Sequence, residues 1–270
     1  MVPNRGAWGY MQSMLIDSHC HLDYFTEAER PEVIARAAAV GVTELVTIGT
    51  SLAQSRRAIA MAEAGPHVWA CVGVHPHHAG EEGPVPSAEA IAALTEHPKV
   101  IGIGESGLDY FYDKAPREVQ AANFAAHIRA AQITGLPLAI HARDADEDIA
   151  AMLEAAYAER PFGFLLHCFS SGADLAARAL AIGGYVSFSG ILTFPKSEAL
   201  RAIARTVPAE RLLVETDSPY LAPVPLRGRR NEPANTVHTA RVLAGLHGLS
   251  EAALADLTSG NFRRLFVKAA

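Results

Sequence analysis

The sequence predicts an α/β fold, a single-domain (β/α)8 barrel of the TIM type. Three observations predict it. Apolar runs rich in Val, Ile and Leu alternate along the chain with Ala-rich segments of helical period. The runs are apolar on both faces, as strands of a parallel sheet covered by helices are. Eight strand–helix units fit into about 250 residues, the usual span of a barrel. A doubly wound open sheet shares these features, and strand count does not separate the two.

The first strand, Leu15–His19, is an apolar run that ends in a histidine pair; helix Glu29–Val40 follows and stops at Gly41. Strand Leu45–Gly49 leads to helix Ala53–Ala64, closed by Gly65-Pro66. Strand Val68–Val74 precedes helix Ser87–Glu96, which His97-Pro98 ends. Strand Val100–Gly104 precedes helix Arg117–Ile133, stopped by Thr134-Gly135. Strands Leu138–His141, Phe164–His167 and Tyr185–Ser189 alternate with helices Asp146–Glu159, Asp174–Ala181 and Ser197–Thr206. Leu212–Glu215 is the eighth strand, and helices Asn235–Leu246 and Glu251–Phe266 complete the chain. No linker or low-complexity tract divides residues 14–270, so one domain is expected there. Residues 1–13 read as an N-terminal extension, disordered or upstream of the true start, since Met11 and Met14 could also initiate.

Composition sets limits on function. Half of the 270 residues are hydrophobic, enough for a sizeable core. The net charge of −6, from 23 basic and 29 acidic residues, excludes broad electrostatic adhesion to nucleic acid but leaves room for a local basic patch. Cys20, Cys71 and Cys168 form no disulfide framework, which suits a reducing compartment. No apolar stretch reaches the roughly 18 residues a membrane span needs, and no signal peptide is recognisable. A cytoplasmic enzyme is expected.

Reactive side chains fall at the C-terminal ends of the strands, where barrel enzymes build their sites. His19 and His21 are two apart on one strand face, close enough to share a metal ion, with Cys20 turned away. Glu105 and Asp109 close the fourth strand, His141 and Arg143 the fifth, His167 the sixth, and Glu215 and Asp217 the eighth. Such a mixed nitrogen and oxygen set suits Zn²⁺, Mn²⁺ or a similar divalent ion and is rich enough for two. Cys168, beside His167 on a strand, is expected to face the outer helices like Cys20. His127 reads as structural, His238 and His247 as surface helix residues, and His97 as a helix C-terminal cap. His75 and His77, in His75-Pro76-His77-His78, are candidates for substrate contact. So are Arg143 and Arg227, Arg229 and Arg230 of a Pro-rich loop, whose planar guanidinium groups suit phosphate.

Seven ordered motifs together resemble the TatD family of metal-dependent hydrolases, within the amidohydrolase-like superfamily. They run from Asp17-Ser-His-Cys-His-Leu-Asp and Gly73-Val-His-Pro-His through Gly104-Glu-Ser-Gly-Leu-Asp-Tyr and His141-Ala-Arg-Asp-Ala. His167-Cys-Phe-Ser, Glu215-Thr-Asp-Ser-Pro-Tyr-Leu and Arg227-Gly-Arg-Arg-Asn-Glu-Pro-Ala-Asn follow. The resemblance implies two divalent ions, of Zn, Mn or Mg. It gives His19, His21 and Asp217 to the first, His141 and His167 to the second, and makes Glu105 the bridge. Glu105 stands where related amidohydrolases place a carboxylated lysine, and Ser106 stands where family members often carry isoleucine. Two such ions make hydroxide available near neutral pH, and Asp217 would orient the nucleophile and shuttle its proton. Glu215 would support the metal shell from deeper in the barrel.

The implied activity is a DNA phosphodiesterase of the 3′–5′ exonuclease type, with single-stranded DNA or another phosphodiester as substrate. Tyr110, Phe111, Tyr112, Phe194 and Lys196 are candidate stacking and cationic contacts for that strand. The alternative is carbonyl chemistry on the same ions, an amide or ester hydrolase such as a D-aminoacyl-tRNA deacylase.

Overall fold

The computed structural model describes residues 14–81 and 83–269; the extension at residues 1–13 lies outside them. The eight strands are β1 Leu15–Cys20, β2 Val42–Ile48, β3 Val68–Val72, β4 Val100–Asp109, β5 Leu138–Arg143, β6 Phe164–Leu166, β7 Tyr185–Phe188 and β8 Leu212–Val214. They form one sheet in sequence order, each neighbouring pair parallel. The helices are α1 Arg30–Ala39, α2 Leu52–Ala64, α3 Ala88–Leu94, α4 Arg117–Thr134, α5 Asp146–Glu159, α6 Ala173–Ala181, α7 Glu198–Thr206, α8 Thr236–Leu246 and α9 Glu251–Leu265. Ser51, Ser87 and Ser250 cap α2, α3 and α9 by accepting a backbone N–H of the first turn.

A seam between β8 and β1 closes the barrel and removes the open-sheet alternative. One bridge, Cys20 to Ser218, spans it. His21 N–H donates to Ser218 O at 2.8 Å and Asp217 N–H to His19 O at 2.9 Å. The buried Asp17 carboxyl accepts from the Thr216 N–H at 2.9 Å and its hydroxyl at 2.5 Å, while the Ser18 hydroxyl donates to Val214 O at 3.0 Å. Burial pushes the Asp17 pKa up to about 8, against the lowering pull of its Thr216 bonds.

Two apolar layers result. The larger lies between barrel and helices; the smaller plugs the barrel floor with Ile16, Val46, Cys71, Ile101, Leu165 and Leu213, sealed by Phe262 and Phe266 of the C-terminal region. The barrel interior therefore changes character along its axis, from apolar floor to polar mouth.

The fourth strand is longer than its sequence predicts, continuing from Gly104 to Asp109. Gly104 and Gly107 have φ of +112° and +150°. These glycines bend β4 without ending it, and its ladder with β5 runs on through Gly107–His141 to Asp109–Arg143. His97 is not a helix cap: α3 ends at Leu94, and His97 bonds Glu63 at 3.0 Å. Among the described residues, no helix is long and apolar enough to cross a membrane.

Candidate metal centre

The polar mouth is built from the ends of β1, β3, β4, β5, β6 and β8. At the ends of β6 and β8 the alternation carries one residue further: Leu165 is in the floor and His167 above it, Leu213 in the floor and Glu215 above; Asp217 follows beyond β8 at φ +55°. Helix α4 braces the ends of β3 and β4. Asn123 Nδ2 donates to Val74 O at 2.7 Å and to the Ser106 hydroxyl at 3.2 Å, and Val74 N–H donates to His127 Nε2 at 2.9 Å. Ser106 thus ties the Glu105 segment to the helix, and His127 is structural.

Glu105 is the centre of the arrangement. Its Oε2 faces one pair of histidines, 3.5 Å from His19 Nε2 and 3.9 Å from His21 Nε2. Its Oε1 faces three others, 2.8 Å from His167 Nε2, 3.1 Å from His141 Nδ1 and 3.3 Å from His75 Nε2. Asp217 Oδ1 lies 3.4 Å from His21 Nε2 and 3.7 Å from His19 Nε2. Three triads have ligand atoms within 4.8 Å of one another: His19, His21 and Asp217; His19, Glu105 and His167; His75, Glu105 and His141.

Behind these, two carboxylates orient imidazoles. Asp109 Oδ2 is 3.0 Å from His141 Nε2 and 2.8 Å from His77 Nε2, and Glu215 Oε1 is 3.3 Å from His167 Nδ1. Glu215 is held in turn by the Cys168 N–H at 2.7 Å. A carboxylate behind a histidine fixes which ring nitrogen is left to bind a cation.

The electrostatics match a cation site. Burial raises the Glu105 pKa, but the imidazoles of His167 and His75 and the bonds from His141 and His167 hold it well below the usual range. Burial opposes the charge on His167, yet Glu105 and Glu215 carry its pKa well above normal. Burial takes His75 down to about 3. His19 Nδ1 and Nε2 and His21 Nδ1 are buried with no hydrogen-bond partner. Unpaired buried nitrogens are costly, and a cation in front of this donor set removes that cost. The residues present fit divalent ions.

A cavity of about 530 Å³ opens over the centre, lined among others by Lys114, Arg143, Tyr112 and Tyr220. His75 and His77 also line it. Arg143 ends β5 with its guanidinium 4.7 Å from the centre of the Phe111 ring. Arg227, Arg229 and Arg230 are not among the lining residues. Arg227 stacks on Phe194 at 4.1 Å, and Arg230 pairs with Glu29 at 2.8 Å and stacks on Phe25 at 4.1 Å. Cys20 packs outward as expected, its thiol donating to Val46 O at 3.3 Å. Cys168 does not: β6 ends at Leu166, and at φ +42° the chain turns the thiol into the cavity wall, 3.1 Å from Ser189 Oγ. Lys114, Tyr24 and Tyr220 line the cavity but are not among the sequence candidates, and Asp109, placed by sequence at the end of the fourth strand, has no role assigned to it there. Tyr220 lies within a recognised motif, whereas nothing in the sequence marks Tyr24 or Lys114.

A parallel eight-stranded barrel with histidines and carboxylates gathered at its C-terminal mouth defines a metal-dependent hydrolase. Residues 16–267 match the family described as TatD related DNase. The chain is 38% identical over 256 residues to an uncharacterized metal-dependent hydrolase, YabD, of Bacillus subtilis, covering 94% of this chain and 99% of that one. It is 36% identical over 243 residues to the 3′-5′ ssDNA/RNA exonuclease TatD of Escherichia fergusonii, covering 88% and 93%. The crystal structure of the TatD homolog YJJV from Escherichia coli superposes with a TM-score of 0.87 at 28% identity, covering 95% and 99%. The chain belongs to the TatD family.

Proposed function

We propose that this protein is a divalent-metal-dependent phosphodiesterase that shortens single-stranded DNA from its 3′ end. The observation that carries the reading is Glu105, one oxygen turned to His19 and His21 and the other to His141, His167 and His75. In this reading His19, His21 and Asp217 would hold one ion, His141 and His167 a second, and Glu105 would be shared between them. His75 lies close enough to join the second group. Two ions of Zn, Mn or Mg would neutralise phosphate charge and supply an activated water.

The chain's own groups do the rest. Asp217, at φ +55° and facing the cavity, takes the proton of the attacking water on its carboxylate. Asp109 and Glu215 hold His141 and His167 in place. Arg143 and Lys114 supply positive charge along the cavity wall for the phosphates that flank the scissile one. The similarity to a protein named as a 3′-5′ ssDNA/RNA exonuclease supports the choice of substrate. Three free thiols suit work in a reducing cytoplasm.

Cleavage of end-labelled single-stranded DNA, after chelation and re-addition of Mg²⁺, Mn²⁺ or Zn²⁺, tests this. Stepwise shortening that disappears in Glu105→Ala is expected. A folded, ion-loaded protein that leaves DNA intact with every metal would turn the assignment to ester, amide or aminoacyl-tRNA hydrolysis.

A further inference from the structure

The cavity rim carries exposed aromatic surface beside the ion-holding groups. Tyr24 follows β1 and Tyr220 follows β8, and they keep 52% and 47% of their surface exposed while lining the cavity. Their rings meet edge to face, centroids 5.6 Å apart and planes at 72°. Each also stands edge-on to His21, at 6.0 Å and 6.3 Å. The two planes are steeply inclined and each ring is about half exposed, so a further flat ring can lie against one of them in the stacked or edge-to-face geometry that aromatic pairs prefer.

Two consecutive residues hold this pair together. Arg230 donates to the Tyr24 carbonyl, and Asn231 Nδ2 donates to the Tyr220 carbonyl at 2.7 Å. The arginine-rich motif therefore acts on the two tyrosine backbones while lying outside the cavity lining. With a net charge of −6, long-range attraction to a polyanion is weak, so affinity must come from short-range contacts at the mouth.

We propose that Tyr24 and Tyr220 form a stacking subsite for one nucleobase, beside His21 and Asp217 at the cavity mouth. This rests on the nuclease reading. Stacking needs no base identity, since every base has a flat face, so the subsite is tolerant of sequence. Loss of both rings should weaken binding of single-stranded DNA roughly ten- to a hundredfold. Phenylalanine at both positions should preserve it.

The test uses the metal-loaded protein and short oligothymidylates with 2-aminopurine at the terminal or the penultimate 3′ position. Phosphorothioate linkages slow hydrolysis while fluorescence is recorded. Quenching at one of these positions is expected, lost in Tyr24→Ala/Tyr220→Ala and kept in Tyr24→Phe/Tyr220→Phe, with unchanged melting temperatures. In parallel, an unmodified strand with a baseless tetrahydrofuran residue at the position that quenches should show a raised KM with the native enzyme and no further rise with the alanine pair. Quenching that persists in the alanine pair, or no quenching at either position, overturns the subsite. DNA cleavage that survives such a result leaves the nuclease reading standing. Quenching without cleavage overturns the nuclease reading and leaves the base subsite.

Discussion

Strands β5, β6 and β8 bring their site residues to the mouth in a different way from β1 and β4. In the first group alternation carries through: Ala139, Leu165 and Leu213 lie in the floor, and His141 within β5, with His167 and Glu215 directly after β6 and β8, stand two residues above them. In the second group it is broken. Leu15 packs toward the helices and Ile16 into the floor, yet His19, of the same parity as Leu15, faces the centre. The pairing of β1 with β2 shifts register between Asp17 and Cys20. On β4, Ile101 is in the floor and Ile103 in the helix-facing layer, and the register shifts again before Ser106. Regular strands place a ligand at a fixed height; interrupted ones let Glu105 and His19 reach the axis, where one carboxylate can face both halves of the site.

The comparison breaks first at Glu105. Its replacement by Ala should cost several kcal/mol of transition-state stabilisation, about a thousandfold in kcat with any of the three metals, measured on labelled single strands. A wild-type rate would remove Glu105 from the centre of the account.

Two substitutions of similar thermodynamic size then separate the strand types. Leu165→Ala leaves a hole in the floor of a regular strand and should cost about 2–5 kcal/mol in denaturant unfolding while ion affinity is kept. In Gly107→Ala the new Cβ would meet His141 O at 1.9 Å, at a φ of +150°. It should cost about 3 kcal/mol and weaken ion binding as well, because the β4–β5 register carries both Glu105 and His141. Equal ion affinity in the two variants would show that the interruption does not position the site.

Smaller effects are expected from the orienting carboxylates. Asp109→Asn and Glu215→Gln should each lower ion affinity by about 10- to 100-fold, read by competition with a chelating dye. The smallest effect concerns pH. Burial lowers the His127 pKa from 6.5 to about 4, so in acid the unfolded chain takes up a proton that the folded chain refuses. This contribution to stability is complete above pH 6.5 and is lost as pH falls toward 4. His127→Gln should flatten the pH dependence of unfolding in that window by up to one proton, and an unchanged slope would contradict the assignment.

Much of this architecture was legible in the sequence, and the exceptions have physical causes. Periodicity located the eight strands and nine helices of the described residues to within a few residues at most boundaries, because apolar runs and Gly or Pro stops dominate locally. It failed on β4, where Gly104 resembles a terminus but adopts a backbone that lets the strand continue. It failed on Cys168, since pleating says nothing once a strand has ended and φ has turned positive. The gathering of histidines and carboxylates at strand ends was visible because a parallel barrel puts all such ends on one face. The meeting of Tyr24 and Tyr220 was not, as it depends on closure between β1 and β8, which are 192 residues apart counting from Cys20 to Leu212. The three arginines looked equivalent in sequence, but Glu29, Phe25 and Phe194 give Arg230 and Arg227 different neighbours.

The most direct measurement is anomalous diffraction from crystals grown with Zn²⁺ or Mn²⁺. Two peaks are predicted, one on each side of the Glu105 carboxylate, the first among His19, His21 and Asp217 and the second against His141 and His167. A single peak, or peaks that Glu105 does not touch, would contradict the bridged centre on which the account depends.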